Sequence, residues 1–211
     1  MKLNKKLGAA VLSIGLVSSV FFGSSAFAAP TGDTHVIQKI NAGTRDVSVT
    51  TSTTFNDITL NGEIQKTNAD PGVLTFVDAS GTGEGYRINA SSTQFKTVAP
   101  PGGYAAQTSA KTLPKGSLLL KNNGADISTV GGSTSQLPTW HGGSWVLDTD
   151  SEVTIMKANK DQGMGKYSID FGSDNLELTL NPSTTYVDKI NYQGVSTPYE
   201  TTITYTIVSG P

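Results

Sequence analysis

The residues with the most evident chemistry lie in one short run, Trp140-His141-Gly142-Gly143-Ser144-Trp145. Two indoles and an imidazole on a glycine-flanked loop can form a platform. Aromatic faces stack on ligand rings, and loops on a rigid scaffold are where binding groups collect. The competing reading is that one or both indoles fold back to cover the end of a β-structure. A few residues on, Asp148-Thr149-Asp150-Ser151-Glu152 sets three carboxylates at alternate positions. Calcium prefers oxygen ligands, and this spacing can bring carboxylates together. The glycine and the distal glutamate of a calcium loop are missing. That favours a solvated strand edge, where charge also discourages sheet-to-sheet aggregation. Asp78–Gly85 (DASGTGEG) resembles a phosphate-binding loop. Such a loop needs a helix after its glycines, and here the following residues alternate as a strand. The expectation is a glycine-rich hairpin connection in which Asp78 accepts hydrogen bonds from backbone amides.

Other chemistries have little to stand on. The chain has no Cys, hence no disulfide, thiolate metal site or Cys nucleophile. Two histidines, His35 and His141, are too few for most His-based metal sites. No metal or cofactor is expected. Neither a G-x-S-x-G elbow nor an H-E-x-x-H motif is present, so no catalytic residue is assigned and no enzyme activity is expected. The net charge is −2 and no basic block follows the N-terminus, which gives a nucleic-acid partner little support.

The elements that must position these groups read as strands. The chain is rich in Thr (28) and Gly (23), and only 15% of its residues are charged. Thr favours strands and turns, and Gly breaks helices. Short apolar-alternating stretches recur at His35–Ile40, Asp46–Thr50, Phe55–Leu60, Val73–Val77, Tyr86–Ala90, Leu118–Leu120, Val153–Met156, Tyr167–Phe171, Leu176–Leu180 and Thr202–Val208. Turn residues separate nearly all of them. This spacing predicts an all-β, antiparallel β-sandwich, with Val73–Val77 as a central strand. The only helix expected is one or two turns around Met156–Gln162. Lys96–Ser144, with its Pro-Pro-Gly-Gly and Gly-Gly pairs, reads as a loop-rich central excursion carrying a small hairpin near Ser117–Val130.

Met1–Ala28 reads as a secretory signal peptide. Lys2, Lys5 and Lys6 precede an apolar run, and Ala26-Phe27-Ala28 is a small-x-small cleavage site. Residues 29–211 then form a single domain. No second apolar stretch approaches the ~20 residues that span a bilayer. The C-terminus, Ile207-Val208-Ser209-Gly210-Pro211, carries no sorting-signal tail, so any surface attachment is expected to be non-covalent.

Two passages carry a resemblance. One is Leu74–Ala90 (LTFVDASGTGEGYRINA). The other runs from Gly163-Met164-Gly165-Lys166-Tyr167 through Leu176–Pro182 to Tyr199–Pro211 (YETTITYTIVSGP). In their order, over most of residues 29–211, they resemble the WxL-domain family of Gram-positive surface proteins. That family carries a Trp-x-hydrophobic motif after a D-x-x-G-x-G-x-G turn and again in a final strand. Here Tyr86-Arg87-Ile88 and Tyr205-Thr206-Ile207 stand at those positions, Tyr replacing Trp and Ile replacing Leu. A literal Trp145-Val146-Leu147 lies elsewhere, in surroundings that match neither. The resemblance implies a secreted protein attached non-covalently to the wall, with peptidoglycan or an associated wall polymer as partner, and other surface proteins alongside.

Residues two apart on a strand share a face. Tyr86 and Ile88 therefore lie together, as do Tyr199, Ile203, Tyr205 and Ile207. They are either core plates inside the sandwich or an exposed aromatic pair. The ligand-binding candidates are thus Tyr86, Ile88, Tyr205, Ile207, Trp140 and Trp145. Besides wall attachment, two other roles fit: a matrix or fibre subunit pairing through strand edges, and a carbohydrate-binding module using the two indoles.

Overall fold

The computed structural model describes residues 36–50, 53–99, 110–187 and 196–211. The predicted signal peptide, Met1–Ala28, lies outside the described residues, as does His35.

Among the described residues there are fourteen strands and no helix. Every strand pairing is antiparallel. A first sheet has the order β1 (Arg45–Val49), β3 (Val73–Asp78), β11 (Gly165–Asp170), β7 (Ile127–Val130). A second runs β14 (Ile203–Ser209), β4 (Tyr86–Ser92), β10 (Val153–Ala158), β8 (Thr139–Trp140). A third runs β2 (Gln65–Ala69), β12 (Leu176–Leu180), β6 (Leu118–Lys121), β9 (Ser144–Val146). A short ribbon pairs β13 (Tyr199–Glu200) with β5 (Lys96–Thr97). The all-β, sandwich-like expectation holds, and β3 is a central strand.

Alternation explains the packing. Leu74 and Phe76 of β3, Tyr86, Ile88 and Ala90 of β4, and Tyr167 and Ile169 of β11 all turn inward and are fully or almost fully buried. They form one core with Leu118, Leu120, Leu176 and Leu178 of the third sheet. Each of the Leu, Ile and Phe side chains contributes roughly 1.5–3 kcal/mol on leaving water.

Five local expectations differ. Phe55–Leu60 forms no ladder; it is tied to β2 through side chains, Gln65 Nε2 donating to the Thr59 carbonyl at 3.1 Å. Residues 36–40 form no strand either, and Val36, Ile37 and Ile40 stand exposed. Met156–Ala158 completes β10, and a turn follows instead of a helix, with Asp161 at φ 63°. The hairpin near Ser117–Val130 does not form, because β6 enters the third sheet and β7 the first. The turn between them is real, with Ala125 N donating to the Asn122 carbonyl at 2.5 Å. Turn chemistry reverses the chain without deciding whether the next strand pairs with the last. The same holds for Asp78–Gly85, which crosses from the first sheet to the second and is not a hairpin.

The Lys96–Ser144 stretch supplies strands to all three sheets and to the ribbon. Leu113, Leu118 and Leu120 within it are fully or almost fully buried.

Candidate functional site

The two Tyr-x-Ile motifs become neighbours. β14 pairs with β4 so that Ile207 lies opposite Ile88, Tyr205 opposite Ala90, and Ser209 opposite Tyr86. All four motif side chains therefore face the same side of the second sheet, with the tyrosines at opposite ends. Their surroundings differ. Tyr86 and Ile88 are wholly buried. Phe76 packs edge-on against Tyr86, with ring centroids 6.2 Å apart, and stacks on Tyr167 at 5.5 Å. The Tyr86 hydroxyl donates to the Gly163 carbonyl at 3.2 Å. Burial pushes this hydroxyl far above the ordinary tyrosine range, with Tyr167 and Asp78 adding to the shift and Arg45 opposing it.

Two glycines make that placement possible. Gly163, at φ +71°, lies so close that a Cβ there would sit 2.6 Å from Ala158 Cβ and 2.8 Å from Tyr86 Oη. Gly85, at φ +77°, packs against the backbone at Ala158 and Asn159, and its carbonyl accepts from Gly210 N at 3.1 Å. Positive φ and missing Cβ are needed together at both positions.

Tyr205 and Ile207 are half-buried against the core. Among the described residues the Tyr205 hydroxyl is buried without a hydrogen-bond partner, and burial raises its pKa well above the ordinary range. Tyr205 also lines a groove of about 990 Å³ with Phe55, Phe95, Leu178, Tyr199 and Ile203. The Tyr199 hydroxyl holds one wall of it, donating to the Tyr186 carbonyl at 2.8 Å. Among the described residues the ionised side chains in the lining are Asp57 and Glu200. No reading of the sequence assembled this groove, because its walls come from separate stretches of chain. The one signal was the apolar alternation at Phe55–Leu60 and Tyr199–Ile207.

The two indoles converge as well. Trp140 ends β8 in the second sheet, Trp145 lies in β9 of the third, and Phe171 follows β11 of the first. Trp140 lies 5.6 Å from Trp145 and 5.9 Å from Phe171, centroid to centroid. Trp145 is buried and its Nε1 donates to the His141 carbonyl at 2.8 Å. Trp140 is half-buried, and its Nε1 donates to the Ala125 carbonyl at 3.0 Å. Each indole N–H is thus committed to backbone. What Trp140 keeps is part of its ring, held in one orientation beside the exposed His141.

The carboxylate run disperses. Asp148 is not at a solvated edge: it is buried, and its oxygens accept from the amides of Gly116, Ser117 and Leu118 at 2.9–3.1 Å. Asp150 pairs with Lys115, while Glu152 accepts from Asn89 Nδ2 at 3.0 Å. No group of metal-ligating side chains occurs among the described residues. Asp78 is buried, accepts from Ser80 N at 3.0 Å and pairs with Arg45 Nε at 3.2 Å. It anchors the glycine-rich crossing just ahead of Tyr86.

No curated protein and no solved structure matches this chain. The family described as WxL domain surface cell wall-binding matches residues 4–211. The match takes in both Tyr-x-Ile strands and the glycine crossing between β3 and β4. The chain belongs to the WxL-domain family of surface cell-wall-binding domains.

Proposed function

We propose that this protein is secreted by a Gram-positive cell and attaches non-covalently to the peptidoglycan of its wall, in a structural or adhesive role without catalysis. The observation that carries the reading is the family match over residues 4–211. Tyr86 and Ile88 are wholly enclosed, so they serve the fold and not the polymer. The partly open ring of Trp140, backed by Trp145 and Phe171 and flanked by His141, supports a contact there. A cross-linked polymer is met best by a shallow, rigid aromatic surface, because the platform loses little freedom on binding.

The test is co-sedimentation of the secreted protein with sacculi, before and after secondary wall polymers are stripped. Binding to stripped sacculi is expected, with no muropeptides released. Trp140→Ala should weaken it by roughly tenfold, the equivalent of about 1.4 kcal/mol of lost stacking, while the protein stays folded. Binding only to unstripped walls would move the ligand to the secondary polymer. No binding to either would overturn direct wall attachment.

A further inference from the structure

The first and second sheets meet edge to edge at β1 and β14, and the seam between them is open at one end. At the closed end, Arg45 Nη1 donates to Ser209 Oγ at 2.6 Å. Among the described residues no backbone hydrogen bond joins the two strands. At the other end, Val49 of β1 and Ile203 and Tyr205 of β14 face the groove.

Among the described residues no backbone group pairs with the outer edge of β14 where Ile203 and Tyr205 line this opening. Thr93 N donates to the Thr202 carbonyl and Gly210 N to the Gly85 carbonyl, both in the register that pairs β14 with β4. In an antiparallel ladder the directly bonded pairs alternate with pairs whose amides point away. Thr204, Thr206 and Val208 are therefore spent on β4. Ile203, Tyr205 and Ile207 turn their N–H and C=O groups outward. A free edge beside an apolar groove is the arrangement that accepts an added strand: the backbone supplies hydrogen bonds, and alternate side chains fill the groove.

The chain also carries a segment of matching chemistry. Val36-Ile37-Gln38-Lys39-Ile40 is apolar and forms no ladder. Val36, Ile37 and Ile40 are 87%, 85% and 89% exposed, more than any other large apolar side chain among the described residues. On an extended chain Val36 and Ile40 share a face. Charge agrees too: the segment carries Lys39, and among the described residues the ionised groups lining the groove are the carboxylates of Asp57 and Glu200.

The segment leads into β1 from the end marked by Arg45, where Gly43 N donates to the Ala79 carbonyl at 2.8 Å. The groove opens at the opposite end, by Val49. We propose that the β1–β14 seam accepts the Val36–Ile40 strand of a second copy of this chain, so that copies join head to tail. Donor and acceptor are different surfaces, so the contact is heterologous and propagates.

The experiment is light scattering of the secreted protein across a dilution series, with two kinds of variant. Mass should rise with concentration. Ile37→Asp with Ile40→Asp alters only exposed positions, and should leave melting unchanged while reducing the protein to monomer. Glu200→Lys should weaken assembly from the acceptor side. The chain has no Cys, so a double variant Ile37→Cys, Thr204→Cys reads the contact directly. A ladder of disulfide-linked multimers is expected, and either cysteine alone should stop at dimer. A monomeric wild type at every concentration would overturn the proposal. So would assembly that survives the two aspartates, or a double-cysteine chain that closes on itself. Sacculus binding by the aspartate variant reports separately on wall attachment, so the two readings can fail independently.

Discussion

Tyr86 and Tyr205 hold equivalent places in their motifs, but their hydroxyls are treated oppositely. Tyr86 donates to the Gly163 carbonyl inside an aromatic core. Tyr86→Ala should lower stability by roughly 3–5 kcal/mol, since it removes a whole buried aromatic, and chemical denaturation would measure it. The Tyr205 hydroxyl is buried without a partner among the described residues. An unsatisfied buried donor costs free energy, and removing it while keeping the ring lifts that cost. Tyr205→Phe should therefore leave the melting temperature unchanged or raise it. A clear loss of stability would show that the hydroxyl has found a partner.

At the level of the element, the third sheet is bound across its strands by one carboxylate. Glu177 of β12 accepts from Lys66 of β2 at 2.7 Å and from Lys121 of β6 at 2.6 Å. Its side chain is only 11% exposed. The hydrogen bond from Lys121, and then that from Lys66, holds its pKa below the ordinary carboxylate value against the opposing effect of burial. A depressed carboxylate pKa gives stability that is complete above the unfolded-state value and is lost as pH falls through the folded-state one. The melting temperature should therefore drop as the pH is taken below about 4. Glu177→Gln should lose stability at neutral pH and flatten that acid slope; an unchanged slope would assign it to other carboxylates. Asp148 plays a comparable part between elements, gathering the amides of Gly116, Ser117 and Leu118 where the chain enters β6.

For the whole molecule, the sheet order β14-β4-β10-β8 places the two proposed surfaces at opposite edges of the second sheet. Trp140 lies on β8 and the open seam runs along β14. A wall contact at one edge leaves the other free for a neighbouring copy. The two mutational series should accordingly separate: Trp140→Ala should affect sedimentation with sacculi and not mass, and Ile37→Asp with Ile40→Asp should do the reverse.

Much of the strand content was legible in the sequence, because burial on one face of a strand imposes a period of two on apolar side chains. Tyr86–Ala90 and Tyr167–Phe171 show it most plainly. Phe55–Leu60 has the same pattern without a ladder, since alternation reports which side is buried and not whether the backbone has a partner. The glycine-rich crossing was legible as a turn around Asp78, because only glycine meets positive φ at Gly81, Gly83 and Gly85 without strain. By itself the sequence determined the fold class, the family resemblance and the absence of cysteine chemistry; these depend on residue type and near-neighbour spacing. Tertiary structure decided the rest. It sent β6 and β7 to different sheets, set Ile88 against Ile207, joined Trp140, Trp145 and Phe171 from three sheets, and opened the groove beside β14. Those are contacts between residues far apart in the chain, fixed by which faces pack together, and no local pattern encodes them.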